Sequence, residues 1–274
     1  KGIIDIALYD IRGKALKTPV YNLLGGLYKE RFPVTLTISW GKPEEMAKRA
    51  KAMADVGYRT LRLKIGQPLE TDLAVLKAVR DQVGWDFGLR GDANQAWSVP
   101  KAIKNIKAME KYDLEFVEQP VAWYDLKGMA EVAKSVDVPI TAHESMYTLQ
   151  DVDNLIKLGG MDVIGVKVYR PGGGLSGTMK VLAMAEIMNI PCYLHSAAEA
   201  GICTAASAHI VAAQYRHFDY TAEMTGLSGC VSELVMNPVK IQGGFAEVPK
   251  GPGLGVELDE EAVKKFTRET AVIK

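Results

Sequence analysis

The stretch FVEQP, Phe116 to Pro120, ends an apolar, strand-like run that starts at Leu114 on a carboxylate, Glu118, and a Gln-Pro stop follows at once. One acid at a strand end is ordinary, because strands commonly finish in polar, solvated residues. Here two neighbours repeat it. FGLRGDANQ, Phe87 to Gln95, closes an apolar stretch on Asp92, and VPITAHESM, Val138 to Met146, closes another on Glu144. Asp92, Glu118 and Glu144 are each 26 residues from the next.

Outward from this trio the chain keeps one rhythm. VTLTIS (34–39), TLRLK (60–64), FGLRGD (87–92), LEFVE (114–118), PITAHE (139–144), DVIGVK (162–167), PCYLH (191–195) and FDYTAE (218–223) read as eight strands. Helical patterns begin between them near Pro43, Thr71, Val99 and Leu126. A repeat of about 23 to 28 residues fits a strand, a helix and a right-handed crossover. Eight such units predict an α/β barrel, whose active site lies at the C-terminal ends of its strands. The equal spacing then sets the three carboxylates at one height on the third, fourth and fifth strands.

Composition narrows the partners. The chain has 274 residues, 48% of them hydrophobic, with 33 basic and 33 acidic residues. This balance lacks the basic excess of a nucleic-acid footprint, so the expected partner is a small molecule. No apolar run approaches the roughly 18 to 20 residues of a membrane span, and no signal segment opens the chain. Cys192, Cys203 and Cys230 are too few and too odd in number for a disulfide framework. A reducing, cytoplasmic compartment is expected. The chain opens inside an amphipathic pattern (Ile3, Ile4, Ile6, Ala7, Leu8, Ile11), so an N-terminal part of the parent protein is expected to cover that face.

Three carboxylates in one barrel mouth repel one another unless a cation compensates. Hard oxygen donors suit Mg2+, whereas Zn2+ would favour His and Cys. Arg62 and Lys64 alternate onto the same inner side of the second strand. The sixth strand ends at Lys167, the seventh at His195 with Glu199 beyond it, and the eighth at Glu223. Burial of a lysine beside a metal and an arginine lowers its pKa from about 10.4 toward 7 to 8, the range of a general base. With one lysine on each wall, a proton α to a carboxylate could leave from one side and return from the other.

These residues resemble the enolase superfamily, of the muconate lactonizing enzyme and mandelate racemase type. The resemblance runs through DIALYDIRGKALKTPVYNLLGG (5–26), RLK (62–64), DANQAW (92–97, with Asn94 beside the metal strand), VEQP (117–120), HES (143–145), KVYRPGG (167–173) and NPVKIQGGFAEVPKGPGLGVEL (237–258). It implies Mg2+ held by Asp92, Glu118 and Glu144, and acid/base catalysis by Lys64 and Lys167. It also implies a (β/α)7β TIM-like barrel over residues 31–235, entered through a helix and loop at 1–30. Residues 236–274 would be the C-terminal segment of an α+β capping domain whose N-terminal part is absent. An even-numbered homo-oligomer is implied as well.

The chain departs from the family pattern in places. Arg62 replaces the first lysine of a Lys-x-Lys pair, and His143 stands where an Asp precedes the metal Glu. His195 lacks the sixth-strand Asp of the mandelate-type dyad, because Lys167 occupies that position, so it is read as an orienting group. Glu223 either hydrogen-bonds a substrate carboxylate or pairs with a neighbour such as Arg62. Trp40, at the end of the first strand, packs on a cationic substrate or in the core or lid. GGGLSG (172–177) matches a dinucleotide fingerprint but follows the sixth strand, and Glu186 comes too early to be the ribose-binding acid expected about 20 residues on. It is read as a turn that lets the backbone approach the pocket.

The function expected is a Mg2+-dependent racemase or epimerase that forms an enediolate. Its substrate would be an amino acid, an N-substituted amino acid, a betaine or a dipeptide. A hydroxy-acid dehydratase or a cycloisomerase would use the same residues. A non-catalytic carboxylate-binding barrel and a nicotinamide oxidoreductase are the rivals from other classes.

Overall fold

The computed structural model describes residues 1–196, 199–225 and 232–269. Two helices come first, α1 (Gly2–Ala15) and α2 (Val20–Leu23). Strand and helix then alternate: β1 (Arg31–Ile38), α3 (Pro43–Val56), β2 (Thr60–Lys64), α4 (Leu69–Val83), β3 (Gly88–Asp92), α5 (Val99–Met109), β4 (Leu114–Glu118) and α6 (Leu126–Ser135). They continue as β5 (Ile140–Ala142), α7 (Leu149–Leu158), β6 (Val163–Val166), α8 (Gly174–Met188), β7 (Cys192–Leu194), α9 (Gly201–Gln214) and β8 (Ala222–Glu223). A hairpin, β9 (Ile241–Gln242) and β10 (Phe245–Glu247), and a short α10 (Glu260–Phe266) follow.

Local chemistry sets these boundaries. Pro43 opens α3, with Glu44 and Glu45 in its first turn, and Gly57 closes it at φ 119°, a left-handed cap that costs glycine little. Thr148 and Asp151 form a capping box at the start of α7. β6, Val-Ile-Gly-Val, is apolar on both faces, as strands buried in a parallel sheet are, whereas β2 is apolar on one face only and turns Arg62 and Lys64 to the other.

The strands from β1 to β7 pair in chain order and in parallel, and β8 pairs with β1. Asp219 and Tyr220, just before β8, donate their backbone N–H groups to Cys192 O of β7. Seven strands are each followed by a helix, which makes a TIM-like α/β fold with a mostly parallel sheet. β10 adds to the other edge of β1 in antiparallel fashion. The last strand is shorter than FDYTAE suggests, because a 3-10 turn at Tyr215–His217 leads directly into Phe218.

Register decides what faces inward. Lys64 pairs with Asp92, and Asp92 with Glu118. The second match depends on a bulge. Leu89 pairs with Leu114, yet Gly91 pairs with Val117, so β4 carries one extra residue. Without it Val117 would face Asp92 and Glu118 would turn outward. Below these acids the inside is filled by Arg90, fully buried. Its guanidinium lies 4.9 Å from the Phe116 ring and 5.4 Å from that of Tyr193, and it donates to Thr221 O at 2.8 Å.

Tyr193 crosses the interior because its partner in register is Gly165. A Cβ at position 165 would lie 2.8 Å from the Tyr193 ring, and that ring, fully buried, cannot retreat. Gly165→Ala is expected to cost about 1 to 3 kcal/mol by overpacking, measured by urea unfolding. A loss below about 0.5 kcal/mol would show that the interior opens freely.

At the N-terminus α1 turns Ile6 inward and leaves Ile3, Ile4, Leu8 and Ile11 exposed. The glycine run does not serve the pocket as expected from the sequence. Gly172, Gly173 and Gly174 all have positive φ, and a Cβ on Gly174 would fall 2.2 Å from Asp5 Oδ2. That carboxylate accepts from Ser176 N at 3.0 Å. The glycines therefore let α1 approach α8, and the N-terminus of α8 is engaged by Asp5. Cys192 is buried and Cys203 half-buried, both as free thiols, while Cys230 lies outside the described residues. Among the described residues no helix is long and apolar enough to cross a membrane.

Candidate active site

Arg62 holds the centre of the strand-end cluster. Its Nη1 lies 2.9 Å from Asp92 Oδ2 and 2.7 Å from Glu118 Oε2, and its Nε lies 3.1 Å from Glu223 Oε1. Nε also donates to Thr37 Oγ1 at 3.0 Å. Of the two roles open to Glu223, the structure shows the ion pair. The carboxylate is fully buried between Arg62, Thr37 and His195, whose Nδ1 is 3.0 Å from Oε2. His195 Nε2 sits 2.9 Å from both Glu118 Oε1 and Arg62 Nη1, so the ring is braced between two acids, as an orienting group would be.

These contacts set the charges. Burial alone would raise Glu118, but Arg62 and His195 outweigh it and hold the carboxyl well below its usual range. Burial also opposes ionisation of Glu223, yet Arg62 and His195 bring it down to about 2. Asp92 differs: burial and the adjacent Glu118 push it up to about 6 against Arg62 and Lys64. The uncompensated charge of the cluster falls on Asp92.

Lys64 approaches Asp92 Oδ2 at 2.5 Å and donates to Asn94 Oδ1, and its side chain keeps 19% of its exposure. Lys167 stands just past β6, with three strands between it and β2 in the sheet order, and is buried. Burial and the Arg170 guanidinium lower it to about 8, in the range expected of a base. Its charge also feels Glu118 and Glu199, and Ser196 Oγ donates to Glu199. Trp40 is no core residue. It is 51% exposed, and its indole N–H donates to Ile65 O at 3.3 Å.

The three acids are not at one height. Glu118 pairs with Thr141 on β5, so Glu144 lies three residues beyond that level. Its Oε1 accepts from Asn94 Nδ2 at 2.9 Å, while its buried Oε2 has no hydrogen-bond partner. His143, just past β5, has Nδ1 3.4 Å from Glu118 Oε1, and its ring stacks on His195 at 3.9 Å between centroids. Burial and His195 push the His143 pKa well below its ordinary value, which keeps the ring neutral. Among the described residues Glu118, His143 and His195 can each turn one ligand atom toward a common point.

Gln119, passed over in the sequence as part of a stop signal, staples this corner. Its Oε1 accepts from His143 N and Ser145 N at 2.9 and 3.1 Å, and its Nε2 donates to Ser145 Oγ at 2.8 Å. A fully buried amide between a strand-end acid and a proline was the available signal. Beside Glu144 a groove of about 590 Å³ opens, walled by Trp123, Tyr124 and Tyr147. None of these aromatics follows a strand pattern that would single it out.

Asp92 and Glu118 already converge on one positive centre, Arg62 Nη1, and a third acid nearby has an unpartnered buried oxygen. This donor set fits a divalent cation. Residues 45–262 match the family described as Enolase C-terminal domain-like. The chain is similar to a hydrophobic dipeptide epimerase of Enterococcus faecalis, 40% identical over 215 residues, 78% of this chain and 60% of that protein. A structure of that epimerase complexed with Mg and the dipeptide L-Leu-L-Tyr superposes with a TM-score of 0.83 at 36% identity, covering 92% of this chain and 71% of that one. It is also similar to the N-succinyl-L-Arg/Lys racemase of Bacillus cereus, 31% identical over 97% of this chain and 71% of that protein. The crystal structure of that racemase matches with a TM-score of 0.92 at 30% identity, over 99% of this chain and 72% of that one. Muconate cycloisomerase 1-1 of Acinetobacter lwoffii is 33% identical over 98% of this chain and 71% of its own length.

Proposed function

We propose a function that starts from family: the chain belongs to the enolase superfamily, in the mandelate racemase and muconate lactonizing branch. The reading is a racemase or epimerase that removes and returns the proton α to a carboxylate. The observation that carries it is that Lys64 ends β2 and Lys167 follows β6, four strands on in the sheet order, with Asp92 and Glu118 on two of the strands between them. Lysines on two faces give inversion when one removes the proton and the other supplies it.

Lys167, lowered to about 8, loses its proton far more readily than a solvated lysine and, when neutral, can accept a proton at Nζ. Lys64, held by Asp92 and Asn94, stays pointed at the opposite face. Arg62 and His195 fix Glu118, and Gln119 fixes the end of β5. Asp92 and Glu118, with a third donor from the end of β5 where the sequence offers Glu144, would hold Mg2+. When bound, such a cation stabilises the charge that grows on the substrate carboxylate.

The substrates are read as N-substituted amino acids, dipeptides or betaines, because the similar proteins are a dipeptide epimerase and an N-succinyl amino acid racemase. The groove beside Glu144 is sized for their side chains. Around the site we read a (β/α)7β barrel at 31–235, entered through 1–30. Residues 236–274 are read as a segment of a capping domain, in a cytoplasmic homo-oligomer. Cycloisomerisation, the activity in the name of the Acinetobacter lwoffii relative, is the second reading.

Incubation of the purified protein with Mg2+ in D2O and a pool of dipeptides, N-succinyl amino acids and betaines tests this by NMR. Wash-out of the α-proton with inversion is expected. Ring closure or loss of water without inversion would reject epimerisation.

A further inference from the structure

We infer that β5 contributes the imidazole of His143 to the cation site in place of the Glu144 carboxylate, giving a mixed oxygen and nitrogen centre. The inference rests on the divalent-cation reading above and specifies its third ligand.

Pairing geometry comes first. Residues paired across parallel strands point to the same face, and side chains alternate along each strand. Glu118 pairs with Thr141, so Thr141 shares its face and Ala142 takes the other; β5 ends at Ala142, and the same alternation carried one residue on puts His143, not Glu144, on the face of Glu118. The contacts agree with this. His143 Nδ1 is 3.4 Å from Glu118 Oε1, whereas Glu144 turns its Oε1 to Asn94.

The ring is also prepared for the task. Gln119 holds the His143 backbone N–H, and the stack on His195 fixes the ring plane. His195 Nε2 is already shared between Glu118 and Arg62, and its Nδ1 lies 3.0 Å from Glu223 Oε2. Arg170 Nη2, which can only donate, lies 3.2 Å from His143 Nδ1, so Nδ1 presents its lone pair rather than an N–H, and a cation would take that lone pair in place of the guanidinium. Glu144 Oε2, 3.8 Å from Nδ1 and without a hydrogen bond, is the competing ligand.

An imidazole among carboxylates changes the preferred ion. All-oxygen sites suit Mg2+, while nitrogen donors favour Mn2+, Co2+ and Zn2+. The probe is Mn2+ added to the metal-free protein, read by electron spin-echo modulation from coordinated imidazole nitrogen. Nitrogen modulation is expected in the natural protein and in Glu144→Gln, and it should vanish in His143→Asp with Mn2+ still bound. The Mn2+ to Mg2+ affinity ratio should fall about tenfold in His143→Asp. Modulation that persists in His143→Asp, or is missing from the natural protein loaded with Mn2+, would overturn the assignment and leave the cation reading intact. Failure of the natural protein to bind Mn2+ or Mg2+ at all would overturn both.

Discussion

Lys167→Met is expected to lower kcat about a thousandfold and, at the same time, to make the fold more stable. The first effect is the usual scale for removing a positioned acid or base. The second follows from its pKa. Burial and Arg170 lower Lys167 from 10.5 to about 8, so the folded protein binds its proton less tightly than the unfolded chain. Between about pH 8 and 10.5 the native state holds fewer protons, and stability from this group rises with pH through that window. Below pH 8 the full cost of a buried ammonium is present, about 3 kcal/mol at about 1.4 kcal/mol per unit. A methionine of similar shape removes it. Urea unfolding at pH 7 alongside α-proton exchange reads both quantities. Turnover within tenfold of the natural protein, or a variant less stable than it, would show that Lys167 is a structural cation. Lys64→Met should cost the same in rate. Its partner Asp92 would then lose one of two counter-ions, so no gain in stability is expected. In the direction that uses Lys167 as base, kcat/KM should climb to a limb near pH 8, and in the reverse direction it should fall above that limb.

Much of this architecture was legible because buried parallel strands are written as short apolar runs. TLRLK and LEFVE are bounded in the structure where their residues predict, and Arg62, Lys64, Asp92 and Glu118 reach one cluster. That Glu144 stands at a different height has a definite cause. Spacing along the chain counts loop and helix residues, but height in a sheet is set by hydrogen-bond register. Asp92 and Glu118 match only because of the bulge in β4, and no similar shift brings Glu144 level with them. The equal intervals of 26 residues said nothing about pairing. His143 was noticed as a departure but not as a candidate donor, because its side of the strand could not be known before the register was. Gln119, Thr37 and Tyr193 act through partners 24 to 186 residues away, and no local pattern announces such contacts.

Arg62→Leu should have the largest effect on stability. One guanidinium separates three buried carboxylates, at 2.9 Å from Asp92, 2.7 Å from Glu118 and 3.1 Å from Glu223. Removing the cation from a buried group of this kind leaves uncompensated charge, which costs about 3 to 5 kcal/mol. The sign of the pH dependence identifies the cause. Asp92 already stands at about 6 in the intact cluster, raised by burial and Glu118. Without Arg62 Asp92 rises further above its unfolded value and Glu118 and Glu223 lose the cation that holds them below theirs, so the folded state binds more protons. An acid raised in this way supports the fold below its unfolded pKa, and that support is lost as pH rises through the folded value. The deficit of the variant, measured by urea unfolding of metal-free protein, should therefore be greatest near pH 8 and shrink by more than half at pH 5. A divalent cation added at pH 8 should recover part of it, since a ligand bound only by the folded state stabilises in proportion to its saturation. A deficit under about 1 kcal/mol, or one that stays constant from pH 5 to 8, would mean that the acids find other partners and that Arg62 is not what holds the cluster together.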